Sequence, residues 1–327
     1  MVNLEWGLPS THISPIDNGL INRTWLVRTP TLNYILQKIN SSVFKEPQVL
    51  QDQIVNLTRA IQLPTLVPLT FLPTKKGLPL LFYDGQAYRL SNAITPSLTL
   101  NEVTEQNARL ASKALLEFHC ALSQLEFKQW KEPISGFLDV SLRLESYQIA
   151  IQNAKMERLA LASNVIDAIE RNWGLIANWQ QLNDNEEKCL IHGDPKLSNF
   201  LFHPNKKQVR AIIDWDTIQF GNRFYDYADM VRSYCSVGED SNTSNSVFKQ
   251  DIFEALLETF QVDAKKLIVA SCGVILVQAV RFLTDYLQND KYYKIKYDAH
   301  NLVRAENQLK LAQELRTYGI TTHKLDR

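Results

Sequence analysis

The sequence predicts an α+β fold of two lobes, in which a small N-terminal β-sheet lobe precedes a larger, mostly helical C-terminal lobe. Three observations lead to this prediction. Short segments rich in β-formers fill much of the first hundred residues, and apolar residues recur at helical spacing over most of the remainder. Between them, the segment 92–99 contains Pro96 and is typical of a hinge. We therefore expect the lobes to comprise residues 1–95 and 96–327.

The N-terminal lobe is predicted to hold a small sheet crossed by one helix. The runs 24–28 and 34–39 are rich in β-formers and fit two adjacent antiparallel strands, preceded by a turn signal at Asn18-Gly19. Apolar residues recur at helical spacing over 47–61, which predicts a helix. Further strands are predicted at 67–72, 78–83 and 86–90, with a hairpin signal at Asp84-Gly85 between the last two.

The C-terminal lobe is predicted to be helical on both sides of a short β-containing segment. Helical periodicity covers 101–125, 140–179 and 251–316. Short apolar runs lie at 189–191 and 210–213, with a strand-like run at 200–202 between them, and the polar segment 236–246 is expected to be a mobile loop.

One apolar run, 267–283, resembles a membrane span. Ser271, Gln278 and Arg281 interrupt it, and it is shorter than about 20 clean apolar residues. We therefore expect a buried helix and no membrane partner.

Charge and cysteine content exclude several classes of protein. Lys+Arg and Asp+Glu both total 35, so no net field attracts nucleic acid or an anionic membrane surface. The four cysteines lie dozens of residues apart without a C-x-x-C pair, which favours reduced thiols. The first ten residues lack the pattern of a secretory signal. These features predict a cytoplasmic protein.

The residues best suited to chemistry follow two short apolar runs. Asp194 follows the first run, Lys196 and Asn199 come two and five residues later, and Asp214 ends the second run. Phosphoryl transfer needs a base that orients the attacking hydroxyl and oxygen ligands that hold Mg²⁺ across the phosphates. Asp194 fits the base, and Asn199 and Asp214 fit the metal ligands. Either aspartate alone is more typical of a turn cap, but the combination favours a phosphotransfer site.

These residues resemble the H-x-D-x-x-x-x-N catalytic loop of protein-kinase-like enzymes. With Gly193 before Asp194 and the run I-D-W-D at 213–216, the chain is similar to the aminoglycoside phosphotransferase and choline kinase family, and within it to the N-acetylhexosamine 1-kinase group. The resemblance extends to the stretches 19–27, 34–40, 281–287 and 300–308. It therefore covers nearly the whole chain.

The resemblance implies a protein-kinase-like fold and an enzyme that uses ATP as co-substrate and Mg²⁺ as cofactor to phosphorylate a hydroxyl of a small molecule. It implies a catalytic role for Asp194 with Lys196 beside the transferred phosphate, and Mg²⁺ ligation by Asn199 and Asp214. Three further residues are expected to support the site, namely His192, Asp216 and Asp226.

The nucleotide site departs from the protein-kinase pattern, because the loop 16–24 has no G-x-G-x-x-G. We expect this loop to cover the phosphates, with contacts from Asn22, Arg23 and Thr24. The strand position of the phosphate-pairing lysine aligns better with Gln37 than with Lys38, and strand alternation lets only one of them face the nucleotide. Asp52 is the candidate acidic partner. If Gln37 faces inward, Lys196 or Arg23 must supply the charge, and the adenine is expected against 90–94.

The acceptor is predicted from the last third of the chain. Equal numbers of acidic and basic residues over 217–327 disfavour a polycationic substrate. Candidate acceptor contacts are Arg232, Arg281 and Asp285, near an aromatic cluster that could cage choline or stack on a sugar ring. The resemblance favours a neutral sugar and the anomeric hydroxyl of an N-acetylhexosamine.

Two alternatives remain open at this stage. One is a kinase of the same fold that acts on choline, an amino alcohol or an aminoglycoside. The other is a catalytically degenerate kinase-like binding module, which Gln37 favours and which the presence of Asp194, Asn199 and Asp214 disfavours. The sequence favours no particular oligomeric state.

Overall fold

The computed structural model describes residues 2–9, 12–16, 21–126, 129–238 and 247–325. The turn expected at Asn18-Gly19 lies outside the described residues, as does most of the loop expected at 236–246. The two lobes of the prediction are both present: an antiparallel sheet comes first in the chain, and a mostly helical part follows.

The N-terminal part is a six-stranded antiparallel sheet with the order β1-β2-β3-β6-β4, in which β5 pairs with β6. Its elements are α1 (Val2–Trp6), β1 (His12–Ile16), β2 (Arg23–Arg28), β3 (Asn33–Ile39), α2 (Pro47–Ala60), β4 (Phe71–Leu72), β5 (Leu81–Tyr83) and β6 (Gln86–Asn92).

The predicted helix and hairpin of this part are present. Pro47 opens α2 in the first turn, where a missing N–H costs nothing, and the helix buries the apolar side of its sequence. Asp84 and Gly85 both have positive φ, as a tight hairpin between β5 and β6 requires. The strand predicted over 67–72 is shorter, since only Phe71–Leu72 pairs with β6.

Among its described residues, the C-terminal part contains eight α-helices, two short 3₁₀ helices (Leu197–Asn199 and Trp215–Thr217) and four short strands. Its elements are α3 (Glu105–Ser123), α4 (Val140–Asn153), α5 (Met156–Arg171), α6 (Trp173–Asn185), β7 (Cys189–Ile191), β8 (Phe200–Phe202), β9 (Val209–Ile212), β10 (Gln219–Gly221), α7 (Arg223–Tyr234), α8 (Gln250–Phe260), α9 (Ala264–Leu287) and α10 (His300–His323).

The helix α9 is the centre of the C-terminal part. It packs against α4, α6, α7 and α10, and most of its side chains are buried. By length and apolar composition it is the one helix of the described chain that could span a membrane, yet 78% of its most apolar window is buried inside the protein. The predicted buried helix is therefore present.

Two small antiparallel sheets position the polar loops of this part. β7 pairs with β10, and β8 pairs with β9. Because β7 and β9 both end next to carboxylates, Asp194 and Asp214 are carried on the loops that leave these two strands. The sheets therefore deliver the predicted acidic residues to one region of the molecule.

Candidate active site

One buried carboxylate anchors the loop that follows β7. Asp226, in the first turn of α7, accepts hydrogen bonds from the backbone N–H groups of His192 at 2.7 Å and Gly193 at 2.8 Å. Nε2 of His119, on α3, lies 2.7 Å from Oδ2 of the same carboxylate. The end of the strand and two helices therefore fix this loop together.

Structural constraints explain why this loop contains a glycine and a histidine. Gly193 has a φ of +83°, and a Cβ there would lie 2.6 Å from the carbonyl oxygen of Thr217, so only glycine fits. The buried His192 ring donates from Nε2 to the carbonyl of Ile213 at 3.0 Å, and its Nδ1 accepts from the N–H of Asp194 at 3.2 Å. Burial lowers the pKa of His192, which keeps the ring neutral in this supporting position.

Two polar partners hold the carboxylate of Asp194. Nζ of Lys196 donates to Oδ2 at 2.6 Å, and Nδ2 of Asn199 lies 3.2 Å from the same oxygen and 2.8 Å from the Asp194 carbonyl. Burial lowers the pKa of Lys196, but the negative charges of Asp194 and Asp214 outweigh it and leave that pKa above its ordinary value. Lys196 is therefore charged at neutral pH and neutralises Asp194.

Asp214 is a carboxylate of the site with a raised pKa. It follows β9 in a left-handed conformation with a φ of 64°. Burial, with repulsion from Asp216 and Asp194 and opposing attraction from Lys196, raises the pKa of Asp214 to about 6. A cation beside it would relieve this repulsion.

The donor set here fits Mg²⁺. Asn199 and Asp214 line the same cavity, and Mg²⁺ is usually bound through one or two carboxylates together with substrate phosphates. In the described parts of the chain, no group of three or more His, Cys, Asp or Glu side chains is arranged to hold a metal by itself. A cation at Asp214 would therefore take its remaining ligands from the substrate and from water.

The cavity between the two parts of the molecule has a volume of about 570 Å³. The sheet contributes Thr24 and Gln37 to it, and the C-terminal part contributes Lys196, Asn199 and Asp214. The predicted hinge also lines the cavity, through residues that include Ser91, Asn92, Ala93, Ile94 and Thr95. A nucleotide-sized molecule could thus contact the hinge and Asp214 together.

At the sheet side of this cavity lies a buried cluster that includes a residue the sequence analysis missed. Arg89, on β6, forms a two-pronged ion pair with Asp216, with distances of 2.7 and 2.8 Å. It also donates from Nε to Gln37 at 2.9 Å and from Nη1 to Gln51 at 3.2 Å. Asn22 donates to Asp216 at 2.7 Å. Asp216 therefore binds the sheet across the cleft.

Three other predicted nucleotide contacts lie away from this cluster. Asp52 is exposed on α2 and accepts from Gln48, because the residue of that helix turned toward the cleft is Gln51. Gln37 lines the cleft, so strand alternation directs Lys38 to the other face of the sheet. Arg23 is exposed at the start of β2. The expectation that Asp52 partners a strand cation is thus corrected to Gln51.

A smaller cavity of about 70 Å³ lies on the other side of the loop that carries Asp194. Asp194 and three arginines line it: Arg143, Arg232 and Arg281. Nε of Arg232 forms an ion pair with Asp229 at 2.7 Å.

The other two arginines of this cavity lack such a pair. Nη1 of Arg281 donates to Gln278 at 3.0 Å, and its guanidinium carbon lies 5.9 Å from the ring centre of Tyr293. Nε of Arg143 is buried without a hydrogen-bond partner among the described residues. Across the part of the chain that the structure describes, neither guanidinium has a carboxylate within ion-pair distance.

Asp285, a predicted acceptor contact, has a different position. Its carboxylate accepts from the backbone N–H groups of Tyr292 at 2.8 Å and Tyr293 at 2.9 Å, and from Nδ2 of Asn301 at 2.9 Å. It is buried and does not line the small cavity. Asp285 therefore holds the segment between α9 and α10, and the expectation of direct acceptor contact is corrected.

A family model described as "Phosphotransferase enzyme family" matches residues 12–244. Among curated proteins, acyl-CoA dehydrogenase family member 11 of Mus musculus is 32% identical over 108 residues, which are 30% of this chain and 13% of that protein. The Rattus norvegicus protein of the same name is 47% identical over 51 residues, or 16% of this chain and 6% of that protein. The matches therefore span a small part of these relatives.

Solved structures resemble the chain over nearly its whole length. A microcompartment-associated aminopropanol kinase has a TM-score of 0.65 at 14% identity and covers 99% of this chain and 97% of its own. An aminoglycoside phosphotransferase from Alicyclobacillus acidocaldarius has a TM-score of 0.62 at 15% identity, with 95% and 92% covered. A spectinomycin phosphotransferase with ADP and spectinomycin has a TM-score of 0.60 at 13% identity, with 96% of both covered. At these identities the likeness shows a shared fold.

Proposed function

This chain belongs to the phosphotransferase enzyme family, and from that premise we propose that it transfers the γ-phosphoryl group of ATP to a hydroxyl of a neutral sugar, namely the anomeric hydroxyl of an N-acetylhexosamine. In this proposal residues 1–95 cover the nucleotide, and residues 96–327 carry the catalytic loop and the acceptor site. Small-molecule kinases among the structural neighbours support the general reaction.

The nucleotide would occupy the large cavity, with its base at the hinge and its phosphates toward Asp214. Asn199 and Asp214 would hold Mg²⁺, which neutralises charge on the phosphates when it is bound. Lys196, already within 2.6 Å of Asp194, would lie beside the phosphoryl group in transit. The sides of the catalytic loop thus separate donor from acceptor, since Asp194 lines the small cavity and Asp214 the large one.

In the transfer step, the acceptor hydroxyl oxygen forms a bond to the γ-phosphorus while the bond from that phosphorus to the β,γ-bridging oxygen breaks. Asp194 orients the hydroxyl and takes its proton, and ADP leaves with the bridging oxygen. The hydrogen bonds from Lys196 and Asn199 fix the carboxylate for this task. Most of the rate enhancement then comes from positioning and charge neutralisation.

The observation that carries the acceptor proposal is the charge of the small cavity. Three guanidinium groups face two carboxylates there, and Asp194 and Asp229 are both already paired with a cation. Such a cavity repels choline and aminoglycosides, and its N–H donors suit hydroxyl and carbonyl oxygens. Its 70 Å³ gives room for about five water-sized groups, enough for one edge of a sugar ring.

The same arginines favour a second candidate acceptor, a hydroxyl compound that carries a carboxylate or phosphate. Arg143 and Arg281 have no carboxylate partner in the described chain, and guanidinium groups bind such anions with two parallel hydrogen bonds. An anionic acceptor would therefore pair with one of them. The two candidates differ in charge, so an acceptor panel that contains neutral and anionic hydroxyl compounds separates them.

The acceptor test is a turnover assay with ATP and Mg²⁺ on matched compounds. We expect ADP formation with N-acetylglucosamine or N-acetylgalactosamine and none with their methyl glycosides, because the glycoside blocks the anomeric hydroxyl. A sugar acid, choline and an aminoglycoside complete the panel. Turnover of the sugar acid alone would select the anionic candidate, and preferred turnover of either cation would contradict both.

Arg281→Met is expected to raise the KM for the acceptor and lower kcat/KM by about 10- to 100-fold, because a hydrogen bond to a charged group contributes about 1.5–3 kcal/mol. The KM for ATP should stay within about two-fold, a small change on the free-energy scale. Steady-state kinetics in both substrates measure the split. The exposed Arg171, at the end of α5, provides the control Arg171→Met. Equal changes in both KM values would contradict an acceptor role.

Asp214→Asn is expected to raise the Mg²⁺ concentration for half-maximal rate by at least about ten-fold, the loss typical of weakening a metal site. In the absence of metal, Asp214→Asn should be at least as stable as the wild type at pH 7, because the substitution removes a negative charge that Asp216 and Asp194 repel. A thermal-shift titration with Mg²⁺ and ATP measures both effects. An unchanged metal requirement would remove Asp214 from the metal site.

We place this reaction in the cytoplasm. The support is the chemistry of the cysteines: all four, Cys120, Cys189, Cys235 and Cys272, are free thiols in the structure. Burial also raises the pKa of Cys235 and Cys272, so both stay in the unreactive thiol form. Such thiols persist in a reducing compartment, where ATP is also supplied.

A further inference from the structure

The residue at the centre of β3 that faces the cleft, Gln37, is neutral. The positively charged residue beside it, Arg89, lies on the neighbouring strand β6. Gln37 of β3 and Arg89 of β6 are direct partners in the antiparallel register, so both side chains leave the same face of the sheet. Both line the large cavity, and Nε of Arg89 donates to Oε1 of Gln37 at 2.9 Å. The glutamine therefore serves as a hydrogen-bond partner for the arginine.

The Arg89 guanidinium is held in one orientation. Asp216 binds it with both oxygens, at 2.7 and 2.8 Å, and Gln51 accepts a further hydrogen bond at 3.2 Å. Together with the bond to Gln37, these contacts involve four of the five N–H donors that a guanidinium has. Arg89 and Asp216 are only 3% and 1% exposed, so the pair is dry as well as rigid.

The pair also joins the two parts of the molecule at the edge of the proposed metal site. Arg89 belongs to the sheet, whereas Asp216 lies two residues after Asp214 in the C-terminal part. The phosphates of a nucleotide in this cavity would approach Asp214 through a bound cation and would face the sheet on their other side. On that sheet, the described cavity lining contains one cation, which is Arg89.

We propose that Arg89 is the sheet-borne cation that contacts the nucleotide phosphates through its one remaining N–H, with Asp216 as the positioning residue that holds its guanidinium at the cavity wall. This inference rests on the proposed function, because it assumes a nucleotide in the large cavity. It assigns the phosphate contact to a different strand from the one that the sequence analysis considered. Gln37 is then the consequence of this arrangement, since a lysine beside Arg89 would repel it.

The test compares the binding of ATP and adenosine by calorimetry, without any acceptor. Arg89→Gln should weaken ATP binding by about 10- to 100-fold, as expected for loss of a charged hydrogen-bond donor, and change adenosine binding by less than about two-fold. The exposed Arg28 at the end of β2 gives the matched control Arg28→Gln, which should change neither.

A second variant keeps the test decisive if Arg89→Gln folds poorly because Asp216 is left unpaired. The double variant Arg89→Gln with Gln37→Lys returns a cation to the cavity on β3, and we expect it to recover most of the ATP affinity. Thermal unfolding reports the stability of each variant. ATP affinity that is unchanged in Arg89→Gln would overturn the proposal. Equal losses of ATP and adenosine binding without recovery in the double variant would also overturn it and leave a purely structural ion pair.

These measurements distinguish failure of the role of Arg89 from failure of the proposed function. A wild-type protein that binds neither ATP nor adenosine would remove the nucleotide site and with it both proposals. Normal ATP binding in the wild type and in Arg89→Gln would remove only the role of Arg89. Failure of every sugar in the acceptor panel would leave the nucleotide measurements unaffected.

Discussion

Asp194→Asn is expected to lower kcat by about 10²- to 10⁴-fold, the usual contribution of a positioned general base. The amide has nearly the same shape, but it cannot take the proton of the acceptor hydroxyl. Lys196 would also lose the carboxylate that it binds at 2.6 Å and would be free to pair with a phosphate. We therefore expect ATP affinity to stay the same or to rise. Single-turnover kinetics and calorimetry measure the two quantities separately.

The control for this variant is Asp167→Asn, an exposed carboxylate on α5, which should leave kcat unchanged. Equal losses of turnover and ATP binding in Asp194→Asn would assign Asp194 a structural role in the cleft. An unchanged kcat would move the base to another residue and would contradict the proposed transfer step.

Much of the fold was predictable because apolar periodicity reports which side of an element is buried. The two-lobed α+β fold is confirmed, as is membership of the phosphotransferase enzyme family. The strand β1 was missed because His12–Ile16 shows no alternation, since it lies at the sheet edge with no fully buried residue. Edge strands carry a weak sequence signal for this reason.

The direction of a side chain was harder to predict where it depends on how a helix is rotated about its axis or on how two strands pair. Each residue turns a helix by about 100°, so the expectation that Asp52 faces the cleft missed the cleft-facing residue, Gln51, by one position and that angle. Arg89 is the one charged residue in the segment 87–90, which is otherwise uncharged. A charge at such a position indicates a buried partner or a functional role. The position of Arg89 opposite Gln37 depends on the pairing of β3 with β6, a long-range contact that local pattern does not contain.

Burial also changed the interpretation of single polar residues. Asp285 and Arg281 lie on the same helix, and the sequence suggested that both reach an acceptor. In the structure, the buried carboxylate of Asp285 accepts hydrogen bonds from two backbone N–H groups, whereas Arg281 lines the small cavity. The role of a buried carboxylate depends on which nearby hydrogen-bond donors need an acceptor. For Asp285, those donors are backbone N–H groups of the segment after α9.

Asp226→Asn is expected to destabilise the protein by about 3–5 kcal/mol, the usual result of breaking a buried charged network. The carboxylate accepts from His192, Gly193 and His119, with one oxygen serving two of these donors. An amide has one oxygen and an NH₂ group, so either orientation places N–H against N–H. The loop that carries Asp194 should then shift, and kcat should fall by about 10²-fold, as a displacement of about 1 Å in an active site produces.

Urea unfolding and steady-state kinetics on the same samples test both parts of this prediction. Asp251→Asn, in the exposed first turn of α8, is the matched control and should change stability by less than about 0.5 kcal/mol. A variant at Asp226 as stable as the wild type would mean that the three donors find other acceptors. Lower stability with unchanged kcat would mean that Asp226 supports the fold without positioning the loop, because only a displaced Asp194 slows the transfer step.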